Sequence, residues 1–202
     1  TLTLTLTLTL TLTLTQVASK VANELTPQTE LERTMATAFA RPEVLRAVVA
    51  DLAKAIVVDP AAEGVLHPAI YFKGFHALAT YRVAHTLWSE GSKASRGVAL
   101  MLQSRASELF AVDIHPSATI GPGVMLDHGT GVVIGGTAVL GADLYILHNV
   151  TLGATGKPMG GAKRHPTVGD GVILGAGCTV LGDITVGSGA TVGGGAIVTK
   201  PV

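Results

Sequence analysis

Aliphatic residues recur every six positions from residue 114 to residue 198. Ile114, Ile120, Leu126 and Val132 form one run, Ile134, Leu140, Ile146 and Leu152 a second, and Val168, Leu174, Val180, Val186, Val192 and Val198 a third. A step of six is not the helical 3.6. It is the period of a parallel β-helix, in which each repeat makes one flat side, its aliphatic residue points inward, and three repeats close a coil. Glycine follows the aliphatic residue at Gly121, Gly135, Gly141, Gly153, Gly169, Gly175, Gly187 and Gly193, and 21 of the 25 glycines lie beyond residue 113, so the chain has two unlike halves. Spacing alone does not set the hand of the coil.

The phase slips by two between Val132 and Ile134, and the step from Leu152 to Val168 is ten longer than one repeat. Equivalent positions in successive coils lie one strand spacing apart, about 4.8 Å. With eighteen residues per coil, the slip carries His128 to His148, the excursion carries His148 to Ala176, and the next coil reaches Gly194. That column starts with two imidazoles and then turns small, which leaves a furrow for an extended ligand or merely eases packing at a corner. The excursion at 154–167 is glycine-rich and carries Lys157, Lys163, Arg164 and His165. A loop of this length on a regular solenoid points to function.

The first half reads as helical over 28–111. Thr29 and Glu32 have capping-box spacing, Leu45, Val48, Val49, Leu52 and Ile56 share a helical face, Pro42 suits a first turn, and Pro60 follows its end. Two further helices are predicted over 69–90 and 94–110, with Tyr71, Phe72, Phe75, Tyr81 and Trp88 as packing residues. Residues 1–27 open on a strict Thr-Leu alternation. That alternation has the period of a strand and lacks the charge pattern of a targeting peptide, so 1–27 is read as a low-complexity leader, disordered or artefactual, without a function. The predicted class is α+β, a helical domain followed by a parallel β-helix over 112–202.

Charge and cysteine content narrow the function. Fourteen basic residues balance fourteen acidic ones, which argues against nucleic-acid or anionic-membrane binding through a basic field. The apolar runs are too short and broken to span a bilayer. Cys178 is the one cysteine, so an internal disulfide is excluded and a reducing, cytoplasmic location is expected. Its place in the repeat, shared with Ala118, Ala190 and Ala196, marks it as a small packing residue.

Several segments together resemble the serine O-acetyltransferases: Asp59-Pro-Ala-Ala, Tyr71-Phe-Lys-Gly-Phe-His-Ala-Leu, Asp113-Ile-His-Pro, Met125-Leu-Asp-His-Gly-Thr-Gly, His148-Asn-Val-Thr-Leu-Gly, Thr155-Gly-Lys and Arg164-His-Pro. The resemblance implies a left-handed β-helix assembled as a homotrimer or a dimer of trimers, with acetyl-CoA as co-substrate, L-serine as acceptor, no tightly bound cofactor and no metal. It implies His128 as base, oriented by Asp113, with His165 in the catalytic group. Asp59, Asp127, Arg164 and His165 are implied to hold the serine. Gly153, Thr155, Gly156, Lys157, Gly175, Ala176, Gly194 and Ala196 are implied to line the CoA arm.

The chemistry agrees with that assignment. A serine hydroxyl attacks a thioester only with a base that titrates near neutrality, and imidazole is such a base, contributing roughly 10²- to 10⁴-fold. A carboxylate on the other ring nitrogen fixes the tautomer, and an arginine fork fits the carboxylate of the amino acid. His115 and His76 read as hydrogen-bonded structure. Gly136 departs from the glutamate usual in the family after Ile-Gly or Val-Gly, Ala154 replaces a second glycine before Thr155, and the excursion is longer than in many relatives. Two other readings use the same scaffold. A carbonic anhydrase-like metal site would need His128, His148 and a third ligand from His115, His165 or a neighbour, and an inactive homologue would only bind a partner. With the chain closing at Val202 soon after its last repeat, stable docking to O-acetylserine sulfhydrylase through a C-terminal tail is not expected.

Overall fold

A computed structural model describes residues 2–23, 26–156 and 163–202, with side chains from residue 8 onward. Six helices precede thirteen short strands. The helices are α1 Leu2–Val21, α2 Gln28–Phe39, α3 Pro42–Val58, α4 Leu66–Tyr71, α5 Lys73–Ser89 and α6 Lys93–Phe110. The strands run from β1 (Val112–Ile114) to β13 (Ile197–Val198) and fall into three parallel sheets, ordered β1-β4-β7-β10-β13, β11-β8-β5-β2 and β12-β9-β6-β3. Consecutive strands thus lie on successive sides of a three-sided prism.

The register reproduces the stacking read from the sequence. Leu126 pairs with Ile146, Ile146 with Leu174, and Leu174 with Val192. Ile134, Ile146, Leu152, Leu174 and Val180 are all essentially inaccessible. So are Ala118, Val124, Ala138, Leu144, Val150, Val172 and Cys178, each two residues before a repeat aliphatic, so every side of the prism sends in two side chains. Burial pushes the Cys178 thiol up to about 11, so it acts as a packing group and not a nucleophile.

The helical half differs from expectation at three places. First, the Thr-Leu alternation is helical, not an extended or disordered leader. Leucine favours helix, and the end of α1 docks through Val17, Ala18 and Val21, which join the core. Thr9 and Thr13 extend the same i, i+4 stripe, Thr13 Oγ1 donating to the Thr9 carbonyl at 2.9 Å, while Leu8 and Leu12 face out. Second, Pro27 and not a capping-box threonine starts α2, and Thr29 lies inside the helix. Third, the helix predicted over 69–90 breaks at Phe72, whose ψ of 104° separates α4 from α5. Pro42 does occupy the first turn of α3, and Asp59 ends it. Phe75 and Tyr81 are core residues as predicted, whereas Tyr71 is 71% exposed.

Helix α5 is buried along nearly its whole length and carries the joint between the halves. A Cβ on Gly74 would stand 2.1 Å from the Leu126 carbonyl oxygen, so only glycine lets α5 lie this close to the coil. Two turns on, the buried Arg82 guanidinium donates to both Asp51 oxygens at 3.0 Å and to the Ile120 and Gly121 carbonyls, while the Val124 amide donates to Asp51 Oδ1. His76, also on α5, accepts from Lys20 Nζ at 3.2 Å and donates through Nε2 to the Ala69 carbonyl at 2.8 Å, tying α1 and α4 to the core. Burial holds the His76 imidazole down to about 4.

Two stability measurements follow from these contacts. Asp51→Ala strands a buried guanidinium and is expected to cost about 3–5 kcal/mol, read as a lower denaturant midpoint. For His76, the unfolded ring takes a proton near pH 6.5 while the folded ring resists it to about 4. The unfolded chain therefore binds more protons between those values. Stability is lost as pH falls through that window, by an amount on the order of 3 kcal/mol. Melting curves from pH 7 to pH 4.5 should be flatter for His76→Asn than for the parent, and parallel curves would refute the assignment.

Candidate active site

The phase slip in the repeats is a corner insertion. Leu126 and Ile146 are paired, yet Asn149 N donates to the Thr130 carbonyl at 2.7 Å, so residues 127–130 occupy a corner that the next coil turns with 147–148. The extra length pushes Asp127 and His128 outward. His128 and Gly129 take left-handed backbone, φ 57° and 69°, and the His128 side chain is 73% exposed. Its ring lies edge-to-face on His148, centroids 5.7 Å apart, as the column predicted. Among the described residues His148 Nδ1 has no hydrogen-bond partner, and the atom is buried.

His128 borders a cavity of about 490 Å³ between the helical half and the first coil, whose wall also includes Asp59, Asp127, His67, Tyr71 and Lys73. Asp59 caps the end of α3 and accepts the Ala61 amide at 2.8 Å. Asp127 places Oδ1 3.7 Å from His128 Nε2, and its Oδ2 accepts the Tyr145 hydroxyl at 2.6 Å. Lys73 hydrogen-bonds Thr130 Oγ1, fastening the start of α5 to the inserted corner. The structure thus brings Asp59, Asp127 and His128 to one cavity, an imidazole with two carboxylates.

The other predicted residues form a second cluster. Asp113, on β1, accepts Gln103 Nε2 at 2.6 Å and borders a groove along α6 with Ser104 and Glu108. It forms no ion pair with His128 within one chain, so the orienting bond that the resemblance implies is not formed there. Asp113 lies on a flat side, in register with Val133, whereas His128 lies on the inserted corner. Asp113 lies near His115, where its charge raises the imidazole while burial and, more weakly, Arg164 lower it; burial prevails. His165 is 7% exposed, and its Nδ1 accepts the Thr137 amide at 3.2 Å. Burial, then the Arg164 guanidinium and the His115 ring, hold His165 below the usual imidazole range. Thr137 Oγ1 also accepts the Arg164 and His165 amides at 3.0 and 3.2 Å, anchoring the end of the excursion.

The CoA-arm candidates divide by physical cause. At Gly175 a Cβ would meet Gly194 N at 2.5 Å, so coil stacking alone requires glycine there, whereas at Gly153 it would meet only the Leu181 Cδ2 methyl at 3.0 Å, a side-chain end that can shift. Gly194 lies over Ala176, to whose carbonyl Gly195 N donates at 2.8 Å, and Ala196 stands where Cys178 stands one coil earlier. Gly156 has φ 77° and open space around its α-carbon, a backbone requirement without a packing one. Thr155 leads into the excursion beside Gly182, and Lys157 lies outside the described residues. Lys163 pairs with Asp183 at 3.2 Å. Among the described residues no three His, Cys, Asp or Glu side chains of one chain converge to hold a metal, so the third ligand of a metal-site reading is not supplied within the chain. No described helix is long and apolar enough to cross a membrane.

Sequence reasoning passed over Tyr145 and took Gly136 only as a missing carboxylate. A Cβ at position 136 would meet Ser117 Oγ at 2.7 Å and His115 Nδ1 at 2.9 Å. Ser117 donates its hydroxyl to the Gly136 carbonyl and its amide to His115 Nδ1. Glycine is what this pair leaves room for. The stacking rule carried one coil on from Met125 would have pointed to Tyr145.

Comparison with known proteins completes the description. Residues 5–80 match the profile of the serine acetyltransferase N-terminal family, and residues 165–200 match the bacterial transferase hexapeptide repeats. A probable serine acetyltransferase 4 of Oryza sativa subsp. japonica is 56% identical over 159 residues, 78% of this chain and 49% of its own length. The serine acetyltransferase of Escherichia coli K12 is 44% identical over 187 residues, 92% of this chain and 67% of its own. The chain therefore spans half of the first relative and two thirds of the second. The crystal structure of a Brucella abortus serine acetyltransferase in complex with coenzyme A superposes with a TM-score of 0.89 at 40% identity, over 94% of this chain and 74% of that one. The three-sided prism is accordingly a left-handed β-helix.

Gly136→Ala should lower the melting temperature, and Ser117→Ala in the same chain should restore part of the loss, because removing Oγ opens the 2.7 Å approach. Additive effects of the two changes in thermal melts would show that the contact carries no energy.

Proposed function

The chain belongs to the serine acetyltransferase family, and on that premise we propose that it transfers the acetyl group of acetyl-CoA to the hydroxyl of L-serine, forming O-acetylserine for cysteine synthesis in the cytoplasm. The observation that carries the reading is His128 beside Asp59 and Asp127 at one cavity, with a guanidinium half-site on a different face of the same chain. Asp59 and Asp127 take the ammonium of the amino acid and Arg164 its carboxylate. His128 removes the hydroxyl proton as oxygen attacks the thioester carbonyl, and CoA leaves as the thiol once the imidazolium returns that proton. Acetyl-CoA enters as co-substrate along the column that runs from His148 to Ala176 and Gly194.

The separation of the two clusters within one chain supports a homo-oligomer, read as a trimer or a dimer of trimers. In it the face bearing Asp113, Arg164 and His165 meets the His128 corner of a neighbouring copy. Asp113 then orients that base, and His165 joins the site as a neutral ring. A single chain holds two half-sites, and apposition of copies completes each one.

Three kinetic results test this. His128→Ala should lower kcat at least about 10²-fold with little change in acetyl-CoA affinity, measured as thiol release. Arg164→Lys should raise KM for L-serine more than KM for acetyl-CoA, since a point charge lacks the guanidinium fork. Co-assembly of His128→Ala chains with Arg164→Ala chains should restore activity that neither has alone, because mixed oligomers contain some sites with both intact halves. Failure to complement in verified mixed oligomers would place both residues in one chain's site.

A further inference from the structure

The proposed transfer makes no use of Tyr145, although it is bonded to a residue of the site. Tyr145 lies on β6, paired in register with Met125 of the coil before, and its hydroxyl reaches sideways to Asp127 Oδ2 at 2.6 Å. Oδ1 of the same carboxylate faces His128 Nε2 at 3.7 Å, too far for a hydrogen bond. Asp127 is thus held on one oxygen, its other oxygen faces the imidazole beyond hydrogen-bond range, and the residue lines the cavity that also includes Asp59.

Two carboxylates at one cavity repel, and with nothing to fix them they turn apart. A neutral donor on one of them fixes its direction without adding a cation that would compete with the ligand. Burial, the bond to Asp127 and the charges of Asp127 and Asp59 push the Tyr145 phenol up to about 12. It keeps its proton throughout the neutral range, so it donates at every pH where the site would operate.

We propose that Tyr145 is a positioning residue for the acceptor: by clamping Asp127 Oδ2 it presents Oδ1 to the ammonium group of the amino acid beside His128. The inference rests on the acetyl-transfer reading above and adds to it the group that sets recognition of an α-amino acceptor.

Tyr145→Phe keeps the ring on the sheet and removes only the hydroxyl. It is expected to raise KM for L-serine about tenfold, the scale of a lost hydrogen bond to a charged group. The kcat at saturating L-serine and KM for acetyl-CoA should stay within about twofold. 3-Hydroxypropanoate, which is serine without its ammonium, should be acetylated by both chains with equal kcat/KM, so the preference for L-serine over this analogue narrows in the variant. Equal losses for the two acceptors, or an unchanged KM for L-serine, would overturn the role of Tyr145 while leaving the acetyl-transfer reading intact. A parent chain that releases no thiol with L-serine overturns that reading and this inference with it.

Discussion

Arg82 and Asp51 hold the helical half against the first coil, and the geometry of the site depends on that joint. Asp51 lies two turns before Asp59, which ends α3, and Arg82 lies two turns after Gly74, which opens α5 on the Leu126 carbonyl. One bidentate pair, with the Ile120 and Gly121 carbonyls and the Val124 amide satisfying its remaining valences, therefore aligns both walls of the cavity on the coil that carries His128. Buried ion pairs add little net stability over apolar packing, because desolvation cancels most of the attraction. Their directional demand is what matters here. An apolar joint would tolerate sliding between α5 and the coil, whereas a guanidinium with four fixed acceptor oxygens does not.

The same joint accounts for the break at Phe72. A continuous helix over 69–90 would carry the chain straight past the coil, but the turn between α4 and α5 brings Gly74 onto the backbone of 126–129 and leaves Tyr71 at the cavity mouth. Helical periodicity cannot reveal this, since residues on both sides of Phe72 satisfy it. A glycine near a helix start followed by aromatic residues is ambiguous until the partner backbone is known.

The coils were legible because each aliphatic residue reports its own position: a period of six with a fixed inward face leaves one register, and the column from His128 to Gly194 followed by arithmetic. The Thr-Leu leader was misread because alternation identifies a strand only when one face is buried. In α1 the buried stripe follows Thr9, Thr13, Val17 and Val21, and docking of its last turns overrides the pattern of its first. His128, Asp59 and Asp127 were legible from the resemblance, and the structure gathers them. Asp113 was legible as a residue but not in its placement: it lies on a flat side in register with Val133 and is held by Gln103 of α6, a contact that repeat spacing does not report. Tyr145 carried no signal of its own, since an outward tyrosine on a strand is ordinary until the carboxylate beside it is identified.

The departure from strict period is where His128 and Asp127 meet the cavity, and the energetics of the corner say why. An eighteen-residue coil turns its edges in a few residues, with left-handed glycines such as Gly177 and Gly195 absorbing the bend. The inserted corner instead places a histidine in that conformation, at a cost of about 1–2 kcal/mol for a side chain bearing a Cβ, followed by Gly129 and Gly131 with φ 69° and 76°. Gly131 is favoured by its left-handed backbone, and a Cβ there would also displace Asn149 Oδ1. Strain of this kind persists only when its surroundings enforce it. Here the backbone of α5 at Gly74, the Lys73 contact to Thr130 and the Asn149 amide on the Thr130 carbonyl enclose the corner from three sides. With the backbone so determined, His128 projects beyond the prism edge, its side chain 73% exposed beside the cavity. A regular corner would have kept it flush with the coil.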